Sequence, residues 1–211
     1  MILVKYRAAR YLCVPAGAPA LGVFVHGSGS SRLSPRNTAV ARLLNQQGIA
    51  TLLFDLLTVD EELDRVKVFD IPLLAERLVD VVGWIGDQQE LAGLHLGFFG
   101  ASTGAAAALL AGAQLGTRVG AIVSRGGRPD LAGMALDDVT APTLLIVGGR
   151  DGGVIELNES AYARLRCPKS IEIVPGATHL FPEPGAMETV IAVAGHWFKT
   201  YLSGPSYQNA R

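Results

Sequence analysis

The pentapeptide Gly100-Ala101-Ser102-Thr103-Gly104 stands between the apolar run Leu94 to Phe99 and an alanine-rich stretch, the setting in which a serine hydroxyl can serve as a nucleophile. A tight strand-to-helix turn would hold Ser102 in a strained backbone conformation, and Gly100 and Gly104 would keep Cβ atoms away from the adjoining strand and helix. The same turn would place Ser102 at a helix N-terminus, where the dipole and the free N–H groups favour negative charge developing on a substrate oxygen. The alternative is a Gly- and Ala-rich junction that only packs tightly. A dinucleotide or phosphate loop is excluded, because neither HGSGSSR nor GASTGA completes G-x-G-x-x-G or contains Gly-Lys-Ser/Thr.

A serine hydroxyl needs a histidine within hydrogen-bond reach, and that histidine needs a carboxylate to hold it. Of the four histidines, His179 lies in VPGATHLF, a Gly-containing loop between the last apolar run and the final helical stretch. His26 closes an apolar run, His95 begins one and His196 falls inside the last helix, positions that suit packing or local hydrogen bonding. Asp151 directly follows the apolar run TLLIVGG and precedes Gly152 and Gly153, so its carboxylate would project from a strand end. Asp55 also ends an apolar run and is the competing acid. Asp137 and Asp138 precede their run and belong at the opposite end of the sheet.

These residues must be positioned by a sheet. Gly22 to Val25, Ile49 to Phe54, Leu94 to Phe99, Val119 to Val123, Thr143 to Val147 and Ile171 to Val174 are short continuous apolar runs, as in a parallel sheet covered on both faces. Between them lie helices with recognisable ends. Ser34 caps, Pro35 fits a first turn, and Gly48 closes the first; Asp70 and Pro72 open another. Met187, Val190, Ile191, Ala194, Trp197, Phe198 and Tyr201 recur at helical spacing in the last. Ile2 to Tyr6 and Arg10 to Val14 are expected to pair as an antiparallel hairpin. The pattern predicts one domain over residues 1–211, a doubly wound and mostly parallel α/β sheet flanked by helices.

Composition narrows the function classes. A 211-residue chain that is 49% hydrophobic can bury one sizeable core. Its formal charge of -1 supplies no basic field for nucleic acid or anionic lipid. Two cysteines, Cys13 and Cys167, form no C-x-x-C or Cys/His cluster, which points to a reduced compartment and no thiolate metal site. Lys5, Arg7 and Arg10 interrupt the apolar N-terminus before a signal-peptide core forms, and no later stretch has a spanning pattern. The expectation is a cytoplasmic protein without a nucleic-acid or membrane partner.

GVFVHGSGSSR, at the end of the first parallel strand, resembles the His-Gly loop of α/β-hydrolases, and the chain order Ser102, Asp151, His179 is the order of their triads. From about Gly22 onward the chain resembles the dienelactone-hydrolase-like branch of that family. The resemblance implies ester or lactone hydrolysis through an acyl-enzyme, with no cofactor or metal. It also implies an oxyanion hole made by the backbone N–H groups of Ser28 and Thr103, with His26 bracing the loop. Dienelactone hydrolase itself carries cysteine at the elbow, where this chain has Ser102. The connection from Val123 to Pro142 is too short for the helical cap many relatives insert, which implies an open site.

Arg125 and Arg128 follow the strand beside the elbow strand, and Arg32 and Arg36 follow the His-Gly loop. Each could reach the crevice and pair with a carboxylate or phosphate of a substrate. The alternative is that they form ion pairs with Asp130 or Asp55. The expected activity is hydrolysis of a small ester or lactone. Acyl transfer or perhydrolysis on the same residues, and an idle scaffold that binds a small ligand or partner, are the other readings.

Overall fold

The alternation of apolar runs and capped helices produces, in a computed structural model that describes residues 10–202, a sheet of seven strands ordered β1-β3-β2-β4-β5-β6-β7. They are β1 (Arg10–Cys13), β2 (Ala20–Val25), β3 (Ala50–Phe54), β4 (His95–Ala101), β5 (Ala121–Arg125), β6 (Thr143–Gly148) and β7 (Lys169–Val174). The six apolar runs expected to be strands form β2 to β7, which run parallel to one another. β2, β3, β5 and β6 are buried at every position, which only a sheet covered on both faces allows.

β1 runs antiparallel to β3, with Arg10 opposite Phe54 and Cys13 opposite Thr51, and residues 2–6, its expected hairpin partner, lie outside the described residues.

The helices are α1 (Pro35–Gln46), α2 (Val59–Glu62), α3 (Arg65–Val68), α4 (Ile71–Gly86), α5 (Thr103–Leu115), α6 (Gly152–Arg164) and α7 (Ala186–Leu202). Ser34 Oγ accepts the Asn37 N–H at 3.3 Å, and Asp70 Oδ1 accepts the Leu73 N–H at 3.0 Å, so both predicted caps satisfy an orphan donor. α1 and α7 cover one face of the sheet through Val40, Leu44, Val190, Ala194 and Phe198. α4, α5 and α6 cover the other through Leu74, Leu78, Ala107, Leu109 and Ala161. Gly97 lets α7 approach β4, since a Cβ there would lie 2.7 Å from the Leu202 side chain and 2.9 Å from Phe198. Tyr201, expected in the buried stripe, is instead exposed and packs on Trp197 with ring centroids 4.7 Å apart.

β3 lies on one side of β2 and β4 on the other, so the loops leaving β2 and β4 flank the switch point where open α/β sheets bind ligands. Between β5 and β6 the chain forms only a 3₁₀ segment, Pro129–Asp138, and no cap domain. No helix among the described residues is long and apolar enough to cross a membrane.

Candidate active site

The turn from β4 into α5 puts Ser102 at φ 51°, ψ −124°, the left-handed side of the map that a residue with a side chain rarely adopts. Small neighbours make this possible. A Cβ on Gly104 would lie 2.2 Å from the Val25 carbonyl oxygen and 2.4 Å from that of His26, and a Cβ on Gly100 would lie 2.5 Å from Ala105 Cα. Gly27 is also pressed, its would-be Cβ 2.8 Å from Ser102 Cβ. The Ser102 carbonyl accepts the N–H groups of Ala105 and Arg128, both at 3.1 Å, and the Ser102 N–H reaches the Arg125 carbonyl at 3.4 Å. The serine is therefore fixed by backbone, and its side chain is left to the pocket.

Asp151 follows β6 at the N-cap position of α6, yet its side chain caps nothing. Its Oδ2 instead lies 2.7 Å from His179 Nδ1. In this pair Nδ1–H donates to the carboxylate, and Nε2 is left as the acceptor. The loop bearing His179 is tied down at both ends. The Arg150 N–H donates to the Ala177 carbonyl at 2.9 Å, and the Thr178 hydroxyl and N–H donate to the Glu183 carboxylate at 2.7 and 3.1 Å. These bonds from Thr178, chiefly the hydroxyl, hold the Glu183 carboxyl below the usual carboxylate range. Beyond the histidine, buried Phe181 has φ 56°. Gly126 allows the loop to close over β5, because a Cβ there would lie 2.8 Å from the His179 carbonyl oxygen.

Ser102 and His179 line one pocket of about 260 Å³ with Gly27, Ser28 and Arg125. No hydrogen bond joins Ser102 Oγ to His179 among the described residues, and such bonds are often long in unliganded enzymes. Asp55, the competing acid, is taken by Arg32: it accepts that residue's N–H at 2.7 Å and its guanidinium as an ion pair. His95 and His196 are exposed on β4 and α7, away from these residues.

The loop after β2 departs from expectation at one atom. The Ser28 N–H donates to Thr103 Oγ1 at 3.0 Å, so the expected donor is already occupied. Thr103, the residue after Ser102, carries a β-hydroxyl, and at the first position of α5 this hydroxyl faces the loop. The Thr103 N–H has no partner among the described residues.

His26 braces this loop. Its Nε2 accepts the Leu56 N–H at 3.0 Å, and its Nδ1 faces the Gly27 carbonyl at 3.0 Å, which requires the neutral ring protonated on Nδ1. Burial pushes its pKa below the ordinary histidine value, against an upward pull from the Gly27 carbonyl. Below about pH 6.5 the unfolded chain therefore takes up a proton that the native ring refuses, so the stability His26 contributes is present above that pH and declines as pH falls towards its native pKa. The drop in Tm between about pH 7.5 and about pH 5.5 is expected to be smaller in His26→Gln than in the parent, and an equal drop would exclude His26 as its source.

The four arginines separate. Arg32 is paired with Asp55, and its guanidinium lies 5.5 Å from the Tyr11 ring centre. Arg128 donates through Nε and Nη2 to Asp130, both at 2.8 Å. Neither lines the pocket with Ser102, and of the two readings open for them the ion pairs with Asp55 and Asp130 are the ones formed. Arg125 and Arg36 do line it. Phe181, Asn37 and Glu183, which also shape the site, stand out in the sequence by no motif. Cys13 and Cys167 are both free thiols, the first exposed and the second buried.

A parallel sheet that delivers a strained serine turn from one central strand and a paired aspartate and histidine from the last two has the architecture of the α/β-hydrolases, and the fold here is theirs. A dienelactone hydrolase of Anabaena variabilis is 51% identical in sequence, superposes with a TM-score of 0.92, and matches over 94% of each chain. This chain belongs to the dienelactone hydrolase family. A lidless α/β serine hydrolase of Xanthomonas campestris shares the fold at 21% identity, with a TM-score of 0.74 over 93% of this chain and 90% of that one. Among curated proteins, one of Mycobacterium tuberculosis named "Putative phosphoribosyl transferase" is 57% identical over 197 residues, 93% of this chain. The chain spans 44% of the length of that relative. No family model matches the chain.

Proposed function

We propose that the chain is a serine hydrolase of small carboxylic esters or lactones, with Ser102 as nucleophile, His179 as general base and acid, and Asp151 holding the imidazole. The observation that carries this reading is the 2.7 Å contact of Asp151 with His179 Nδ1 beside a pocket that a strained serine shares. Ser102 Oγ attacks the acyl carbon as its proton passes to His179 Nε2, and the carbonyl π bond becomes an oxyanion. The Thr103 N–H, at the positive end of α5, donates to that oxygen. The Ser28 N–H joins it by exchanging the Thr103 hydroxyl for the oxyanion. As the C–O bond to the leaving group breaks, His179 returns the proton to that oxygen. Water, deprotonated by His179, then attacks the acyl-enzyme and releases the acid and Ser102.

Asp151 gives the imidazole its orientation and steadies the charge it gains. No group of three or more His, Cys, Asp and Glu is placed to hold a metal among the described residues.

A fluorophosphonate probe tests the reading. Labelling is expected on the tryptic peptide containing Ser102, and label on another serine would overturn the assignment. Products formed with and without an added alcohol or peroxide separate hydrolysis from acyl transfer and perhydrolysis. A protein inert to the probe would favour the idle scaffold.

A further inference from the structure

The pocket beside Ser102 carries more positive charge than acyl hydrolysis needs. Arg125 ends β5, and its carbonyl is within 3.4 Å of the Ser102 N–H, so its side chain starts one strand away from the nucleophile. The residue is only 5% exposed, yet it meets no carboxylate among the described residues. Its Nη2 reaches Asn37 Oδ1 at a long 3.4 Å, its guanidinium carbon lies 5.9 Å from the Phe181 ring centre, and its buried Nε has no partner. Burial, with the Arg36 charge nearby, lowers the Arg125 pKa to about 10, which leaves it charged at neutral pH.

A buried guanidinium without a counter-ion is costly to maintain, and a ligand anion is the natural partner where no side chain serves. Arg36 lines the same pocket and forms no ion pair among the described residues. Ser28, Ser30 and Ser34 line it too, and no acidic side chain among the described residues does. α1, 12 residues long, begins at Pro35, so its positive end faces the same space.

Two guanidiniums, hydroxyl groups and a helix terminus converging beside a nucleophile outnumber what one carboxylate can neutralise, because a bidentate carboxylate would satisfy one arginine and leave the other. We propose that Arg125 and Arg36 form a subsite for a phosphate group, so that the substrate is a small phosphorylated ester or lactone whose acyl carbon lies at Ser102. This rests on the hydrolase reading for the acyl end, and not for the anion end. A phosphate monoester approaches two charges at neutral pH and offers three acceptor oxygens, enough for both arginines and a hydroxyl.

The test begins with binding, which needs no turnover. Calorimetric titration of the full chain and of Ser102→Ala with inorganic phosphate is expected to show equal affinity, with acetate at least about tenfold weaker. Arg36→Gln, on an exposed helix turn where folding is not at risk, and Arg125→Gln should each weaken phosphate by about tenfold or more. Phosphate no tighter than acetate, or unchanged in both variants, would overturn the proposal. Kinetics then compare the acetyl ester of glycerol phosphate with that of glycerol. Arg36→Gln should raise KM for the first at least fivefold more than for the second, and an equal rise for both would count against the subsite. Phosphate binding that depends on the arginines without turnover of either ester would retain the subsite and remove the hydrolase reading.

Discussion

With Ser102 replaced by alanine, kcat/KM for a short p-nitrophenyl ester is expected to fall by about 10⁴-fold or more. The turn that carries the serine is set by Gly100, Gly104 and backbone hydrogen bonds, so the alanine side chain should sit in the same pocket and the fold should survive. What goes is the only group proposed to bond the acyl carbon. His179→Ala should cost about as much, because an unassisted serine hydroxyl is a weak nucleophile near neutral pH. Residues that act as one unit are strongly non-additive, so the double variant should be no slower than either single one. Rates read by initial velocity, with circular dichroism confirming the fold, decide it. Activity of Ser102→Ala within tenfold of the parent would remove Ser102 from the mechanism.

Gly104→Ala should be the most damaging substitution for stability. Its Cβ would fall 2.2 Å from the Val25 carbonyl oxygen and 2.4 Å from that of His26, both backbone atoms of the strand end that carries the site loop. Neither can rotate aside as a flexible side chain could. Relief requires α5 to move off the sheet, and α5 is packed on β4 and α4 by Ala106, Ala107 and Leu109, which are fully buried. A loss of about 3–5 kcal/mol follows, a fall in Tm on the order of 10 °C for a chain of this size. Gly153→Ala is the control. Nothing lies within 4 Å of its would-be Cβ, and it sits in the first turn of α6, so alanine there should be neutral or slightly stabilising. Thermal melts of the two variants that moved together would contradict this account.

The strands and the helix caps were legible because each is a local property. A continuous apolar run reports burial on both faces, and Ser34 and Asp70 bond N–H groups only three residues away. The proximity of Asp151 and His179 was legible for a topological reason: both follow strands of one parallel sheet, and such strand ends share an edge. Contacts between side chains of distant segments were not. Asp55 follows a strand as Asp151 does, and only the folded chain shows that Arg32 holds it. Arg125 and Arg128 are three residues apart, yet one ends a strand buried in the pocket and the other turns back on Asp130. Thr103 could be placed beside Ser102 at the turn, but not its hydroxyl on the Ser28 N–H. Phe181 gave no warning of its positive φ, since any apolar residue after the histidine reads as packing.

The short 3₁₀ connection between β5 and β6 has a kinetic consequence. Many enzymes wait on a closing element before chemistry and on its reopening before products leave, so that their turnover partly times a hinge. With no such element over Ser102 among the described residues, an acyl group carried there would stay in communication with bulk solvent throughout the proposed cycle. Whichever nucleophile is abundant and small enough to enter would collect it, which makes the surrounding medium, as much as the protein, the determinant of what the acyl group becomes.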